Sequence, residues 1–330
     1  WGTAKLEARP GHSVRRPVAS ALHLAVRELG ARHRDPARVE EFLGVLKAFA
    51  LRSNPGDAKL RDRWQPGIDV PAASGRADTG DIEIDLVEVL VDAAELARDV
   101  GTGVAVFVDE MQDLSLEDAS AVCAAFHEIS QQGLPVVLVG AGLPHVPATL
   151  SASKSYSERL FRYVGVDRLE RSACDLALVA PARDEGADYT GDALDAMYAA
   201  TDGYPYFVQA YGKAVWDVAP RSPITADDVA VGAPLARADL GVGFFGSRFE
   251  RATPAERDYL RAMASVAADL PDGDGPVPTA DVAQFLGRKP ASLSPARDAL
   301  LKKGLVYSGE RGSIAFTVPH FAAYLRDHAG

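Results

Sequence analysis

The sequence predicts an α/β protein built on a parallel sheet, followed by a helical segment and a small C-terminal module of helices and a hairpin. Three observations carry that class. Two apolar runs, VAVFV at 104–108 and PVVLVG at 135–140, have the length and continuity of strands buried on both faces. Amphipathic segments of helical period alternate with them, which is the rhythm of a sheet covered by helices. Past residue 172 the pattern turns helical, and it changes again at residue 253.

Taken in order, WGTAKLEA at the start is a short strand. Val18, Leu22, Ala25, Val26 and Leu29 then fall at helical spacing, and ARVEEFLGVLKAFAL (37–51) gives a second amphipathic helix. Residues 52 to 80 are rich in Gly, Pro, Asp and Arg and read as a loop. DIEIDLVEVLVDAAELARDV is a helix, and after VAVFV another runs from Leu116 to Gln131, with Ser115 and Asp118 as its cap. PVVLVG follows, and YVGVDRL (163–169) is a further strand candidate. YTGDALDAMYAATDG, YPYFVQAYGKAVWDVA and TADDVAVGAPLARADL form a helical segment. TPAERDYLRAMASVA opens with Thr253, Pro254 and Glu256 in capping-box spacing. TADVAQFLG and SPARDALLKKG are two more helices, and LVYSGERGSIAFTV is a hairpin. Three helices and a hairpin predict a winged helix. The expected divisions are 1–171, 172–250 and 253–330.

The bulk numbers exclude several classes. A chain of 330 residues with 47% hydrophobic content supports two or three cores. A net charge of −11 argues against a uniformly basic nucleic-acid binder, though not against a local basic patch. Cys123 and Cys174 stand alone, which fits a reduced, cytoplasmic setting. No apolar run approaches the ~20 residues of a membrane span, so no membrane partner is expected. Abundant Ala, Arg, Asp and Gly with little Lys suit a GC-rich bacterial genome.

The chemistry lies in VAVFVDE. Asp109 and Glu110 end a buried strand, at the sheet edge where ligands bind in open α/β folds. An Asp there holds Mg²⁺, usually through water, and the neighbouring Glu polarises an attacking water. Solvated acids at a strand end are the plain alternative. The second strand ends in Gly140, Ala141 and Gly142, which offer no polar side chain to a γ-phosphate. A phosphate loop of the form GxxxxGK[ST] is absent; the only Gly-Lys is Gly212-Lys213, inside a helix and followed by Ala214. In the usual order of elements that loop follows a strand preceding the one that opens here. The expectation is an N-terminally truncated core lacking that strand, loop and helix; the alternative is a degenerate scaffold that never had them.

GVAVFVDEMQDL, LPVVLVGAGLP, SKSYSERLFRY, DGYPYFVQAYGKAVW, RFERATPAERDYLRAMA and the stretch from SPARDALLKKG to HFAAYL together resemble bacterial AAA+/STAND-type P-loop ATPases. These are related to the archaeal ATPases and to origin-recognition-like initiators. The resemblance covers nearly the whole chain. It implies an ATP-binding α/β P-loop NTPase core, a helical lid and a C-terminal winged-helix domain, with ATP and Mg²⁺ as cofactors and room for oligomerisation. By position, Asp109 and Glu110 resemble the Walker B pair. Gly203, Tyr204 and Pro205 resemble the lid's GxP motif beside adenine. Arg159 in SERLFR is a candidate arginine finger, with Arg162 as a substitute. Tyr206 stands where replication-type lids often carry a sensor arginine, which favours a STAND-like switch over a processive motor.

For the winged helix, Arg297, Lys302 and Lys303 lie on the third helix, Arg288 and Lys289 in the turn before it, and Arg311 in the wing, a groove-and-wing arrangement for DNA. Residues 253–330 hold nine Lys/Arg and nine Asp/Glu, so the module is neutral; winged helices also serve as protein–protein modules, and the plain alternative is a solvated face on a packing domain. GVGFFG (241–246) matches GxGxxG but follows a helix, and SASK (151–154) lacks its partner motifs, so both are decoys. Cys123 falls on an apolar stripe with Val122, Phe126 and Ile129 and reads as core. The expected function is an ATP-dependent regulatory switch whose nucleotide state repositions the winged helix onto DNA or a protein. The alternative is a non-catalytic winged-helix regulator or interaction module on a degenerate ATPase core.

Overall fold

The computed structural model describes residues 1–52, 67–270, 275–308 and 312–328. Two compact units make up the chain, Trp1–Val164 and Gly165–Gly330.

The first unit is an α/β layer structure. Strand β1 (Gly2–Glu7) is followed by α1 (Arg15–Gly30), α2 (Pro36–Leu51) and α3 (Ile82–Asp99). Then come β2 (Val104–Asp109), α4 (Leu116–Gln132), β3 (Val136–Gly140), α5 (Val146–Ser153) and the single turn α6 (Ser157–Leu160). The sheet is parallel throughout, in the order β1-β2-β3, so β2 is the middle strand. The second run, PVVLVG, is not buried on both faces as expected: Val137 and Val139, which share one face of β3, are exposed, since no described element covers that face. Its core gathers Leu22 and Val26 of α1, Leu46 and Phe49 of α2, Leu86 and Val89 of α3, Val106 and Val108 of β2, and Cys123 and Phe126 of α4. Each fully buried Leu, Val or Phe contributes about 1.5–3 kcal/mol relative to exposure. The loop reading of residues 52–80 falls partly on residues 53–66, outside the described residues; from Gly67 to Asp81 the backbone forms neither helix nor strand.

The helix starts have local causes. Asp35 and Asp81 cap α2 and α3 by accepting the Ala37 and Glu83 N–H groups. Ser115 does the same for α4 through the Asp118 N–H, and Gly133 ends that helix in the left-handed conformation. The strand expected at 163–169 does not form. Tyr163, Val164 and Val166 are exposed, and the Leu169 N–H bonds the Gly203 carbonyl at 2.8 Å instead of a sheet neighbour. An apolar run alone does not supply the pairing partner that a strand needs.

The second unit begins with α7 (Arg171–Asp184), α8 (Gly191–Thr201), α9 (Pro205–Val218) and α10 (Ala226–Leu240). GVGFFG does not end α10 but continues it as a π-helical stretch, Gly241–Gly246, into the one-turn α11 (Ser247–Glu250). The continuous helix Ala226–Glu250 is long and apolar enough, by length and composition alone, to cross a bilayer. Ala236, Leu240 and Phe245 of that helix nevertheless belong to the unit's own buried core. Helix α12 (Pro254–Ala268) has the expected capping box of Thr253 and Glu256. Strand β4 (Val277–Pro278), α13 (Thr279–Phe285), α14 (Pro290–Lys302), β5 (Val306–Ser308), β6 (Ser313–Phe316) and α15 (Phe321–Asp327) complete it. The hairpin β5–β6 is joined by β4 in an antiparallel sheet of order β4-β6-β5. Helix α14 starts four residues earlier than SPARDALLKKG suggested, because Pro290 sits at its first turn, where a missing N–H costs nothing.

Candidate functional site

The middle strand delivers the acids. Asp109 is the last residue of β2, paired in register with Glu7 of β1, while Val108 pairs with Gly140 of β3. Asp109 and Glu110 are both exposed at this carboxyl edge. One Asp109 carboxylate oxygen accepts the Glu110 N–H at 2.9 Å, and no hydrogen bond to the other is found among the described residues. Glu110 adopts left-handed backbone angles, φ 53° and ψ 42°, a conformation that disfavours a residue with a side chain. The reversal starts a 3₁₀ turn, Met111–Asp113, closed by the Asp113 N–H on the Glu110 carbonyl at 2.8 Å. The Met111 N–H then bonds the Ala141 carbonyl at 3.0 Å, and the Ala141 N–H bonds the Val108 carbonyl at 2.9 Å. Strands β2 and β3 thus stay linked beyond their ends.

Several residues of this edge escaped the sequence reading. Glu7 joins it through strand register, a signal available only once β1 and β2 are known to be neighbours. Asp113 is held above the usual carboxylate range, first by burial and then by the negative charges of Glu110 and Glu7, against a partial offset from His145. Gln112 touches both Glu110 and the Leu143 N–H. Asp118 does more than cap α4. Its buried carboxylate also accepts the Ser13 hydroxyl at 3.2 Å and the Val14 N–H at 3.4 Å, fixing the loop between β1 and α1 to the start of α4.

Among the described residues no three His, Cys, Asp or Glu converge as a metal cage. The donor set fits Mg²⁺ held by one or two carboxylates and water, the way that ion is usually bound beside phosphates. It does not fit a cation held by protein ligands alone. A phosphate cradle of the GxxxxGK[ST] type is absent from the sequence, and Lys213 lies in α9, paired with Asp217 at 2.5 Å.

The other residues singled out in the sequence have these places. Arg159 lies on α6, exposed, with no ion pair among the described residues, and Arg162 is exposed just beyond it. In the second unit, Gly203 is buried with φ 65°, and a Cβ there would overlap the Leu169 carbonyl, so only glycine fits. Tyr204 is the N-cap position of α9 and meets Phe207 edge-on at 4.9 Å; Pro205 is the first residue of the helix. Arg288, Lys289 and Lys302 are exposed. Arg297 pairs with the adjacent Asp298 at 3.1 Å. Lys303 is engaged internally, with Glu256 at 2.6 Å and the Arg251 carbonyl at 2.9 Å. Arg311 lies outside the described residues. A cleft of about 250 Å³ between α7 and α9 is lined by Leu178, Tyr189, Lys213 and Trp216, and none of the predicted site residues lines it.

A model of a domain of unknown function (DUF8462) matches residues 242–325. No curated protein matches. Among solved structures, the chain is similar to the Thermotoga maritima RuvB Holliday junction branch migration motor, with 17% identity, 74% of this chain and 83% of that chain covered and a TM-score of 0.39. It is also similar to a single-residue variant of that protein, at 18% identity over 77% of this chain and 84% of that one, with a TM-score of 0.40. Cdc6p from Pyrobaculum aerophilum aligns over 98% of this chain and 86% of its own, at 15% identity and a TM-score of 0.32. Likeness at this level assigns no activity.

Proposed function

We propose that the chain belongs to an ATP-dependent regulatory switch of the AAA+/STAND type, with Asp109 and Glu110 as the acidic half of its nucleotide site. One observation carries this reading. Two adjacent, exposed carboxylates stand at the carboxyl end of the middle strand of a parallel sheet, with unspent acceptor capacity. Asp109 would hold Mg²⁺ through water, and Glu110 would take a proton from the attacking water. Bound Mg-ATP would supply the reacting phosphoryl group. The phosphate-binding half is not provided by a Walker A loop within these 330 residues, so no step is drawn through it. Arg159 as a finger, Gly203 to Pro205 as a lid motif, and the C-terminal module as a winged helix for DNA or a protein are parts of the same proposal. The helix–hairpin content of residues 254–316 supports the last of these, with Arg288, Lys289 and Lys302 the cations left exposed for a phosphate backbone. Two buried free thiols, Cys123 and Cys174, agree with a cytoplasmic setting.

The second reading, a non-catalytic regulator on a degenerate core, is favoured by the missing loop. Calorimetric titration of the full-length protein with Mg-ATP separates the two. The first reading expects Mg²⁺-dependent binding that weakens in Asp109→Asn. Absence of Mg-ATP binding overturns it and leaves the second.

A further inference from the structure

We infer that Gln112 is a positioning residue: its carboxamide ties the Glu110 carboxylate to the loop after β3 and supplies the polar side chain which that strand lacks. This rests on reading Glu110 as the water-activating group. The end of β3 is bare, since Gly140, Ala141 and Gly142 carry no polar side chain. The structure fills the place from the neighbouring strand. Gln112 Nε2 donates to Glu110 Oε2, and Gln112 Oε1 accepts the Leu143 N–H at 3.1 Å. The orientation of the amide is not arbitrary. A carboxylate only accepts and a backbone N–H only donates, so just one of the two amide orientations satisfies both neighbours.

The glycines are what allow this arrangement. A Cβ at Gly142 would lie 2.8 Å from Gln112 Oε1 and 2.7 Å from Val146 Cγ2. A Cβ at Gly140 would overlap the Met111 sulfur. Small residues at the end of β3 therefore make room for the Met111 and Gln112 side chains arriving from β2. The left-handed turn at Glu110 directs the chain there. With Oε2 engaged by Gln112, Glu110 Oε1 is the oxygen left to meet a water molecule. A tether of this kind fixes a catalytic base in rotation, which is a form of preorganisation. It also joins the state of the Glu110 carboxylate to the β3–α5 loop through a single amide.

The test uses two readouts. In the wild-type chain, the Gln112 side-chain amide protons, assigned by their loss in Gln112→Leu, are followed by hydrogen exchange at a single pH. The comparison is Glu110→Ala, which removes the acceptor. The inference expects slow exchange in the wild type and faster exchange in Glu110→Ala. The second readout is turnover in the full-length protein. Gln112→Met keeps the length and adds no charge but loses the donor. It should lower kcat by about tenfold or more with KM within about twofold, the pattern of a lost charged hydrogen bond to a reacting group. An amide blind to Glu110, or an unchanged kcat in Gln112→Met, overturns the inference. If the wild-type protein turns over no ATP, the hydrolase reading fails and the amide exchange alone decides the tether.

Discussion

The first unit contains two sets of carboxylates, and the fold treats them in opposite ways. Asp85 of α3 is fully buried. It accepts from Arg15 Nη1 at 2.7 Å, from the Thr79 hydroxyl at 2.7 Å, and from the Thr79 and Gly80 N–H groups at 3.0 and 3.2 Å. The Arg15 guanidinium in turn lies over the Phe49 ring, 4.7 Å from its centre. Burial alone would raise the Asp85 pKa, but the Thr79 hydroxyl, Arg15 and the Thr79 N–H hold it below the ordinary range. Glu7, Asp109, Glu110 and Asp113 lie along the carboxyl edge of the sheet, and no Lys or Arg pairs with them among the described residues. The contrast teaches how to tell a structural acid from a functional candidate. Asp85 has its lone pairs spent and its charge matched inside the core. The edge acids keep charge that no Lys or Arg matches among the described residues, and Glu7, Asp109 and Glu110 are exposed to solvent while Asp113 is half-buried.

Substitutions can break that contrast at either end. Asp85→Ala leaves the Arg15 guanidinium buried and unpaired, and should cost about 3–5 kcal/mol in denaturant unfolding. The pH dependence carries the same sign. Because the folded Asp85 pKa is depressed, its contribution is complete above about pH 4 and is lost as pH falls through the folded value. Acid unfolding followed by circular dichroism should therefore lose its steepest limb in the Asp85 variant.

Gly140→Ala should cost about 1–3 kcal/mol, because the new methyl competes with Met111 for the same space. Substitutions of the edge acids should cost far less. Asp109→Asn should leave stability within about 0.5 kcal/mol of wild type, as befits an exposed residue, while weakening Mg²⁺-dependent nucleotide binding. Asp113→Asn should be the smallest effect, a gain of at most about 0.5 kcal/mol at neutral pH. The folded Asp113 pKa is raised, so its charge weakens the fold progressively as pH rises from the usual Asp value through the raised one. Removing the group should flatten that slope, and Mg²⁺ should flatten it in the wild type if the cation sits at this edge.

Much of this was legible in the sequence, for identifiable reasons. VAVFV read as a buried strand because continuous β-branched runs are the signature of parallel sheets; PVVLVG carried the same signal and formed a strand, yet Val137 and Val139 are exposed. The caps Ser115 and Thr253 were visible because capping is local chemistry. YVGVDRL carried a similar apolar signal and formed no strand, since pairing depends on a neighbour that composition does not reveal. The same limit hid Glu7 and Gln112. Glu7 becomes part of the edge through inter-strand register, and Gln112 through a left-handed turn at a non-glycine residue that no propensity scale favours. The partners of Asp85 were hidden too, because Arg15 lies 70 positions away in the sequence and meets Asp85 only in the fold. GVGFFG is no phosphate loop, as its place after a helix implies, yet nothing in its sequence announced the π-helical continuation of α10.

The central claim is that Glu110 activates water beside an Asp109-held Mg²⁺. The most direct test compares ATP turnover and Mg-ATP affinity of the full-length protein with those of its Glu110→Gln variant. The account predicts that affinity stays within about twofold while turnover falls by about 100-fold or more, as when a general base is removed. Turnover equal to wild type in Glu110→Gln would contradict it.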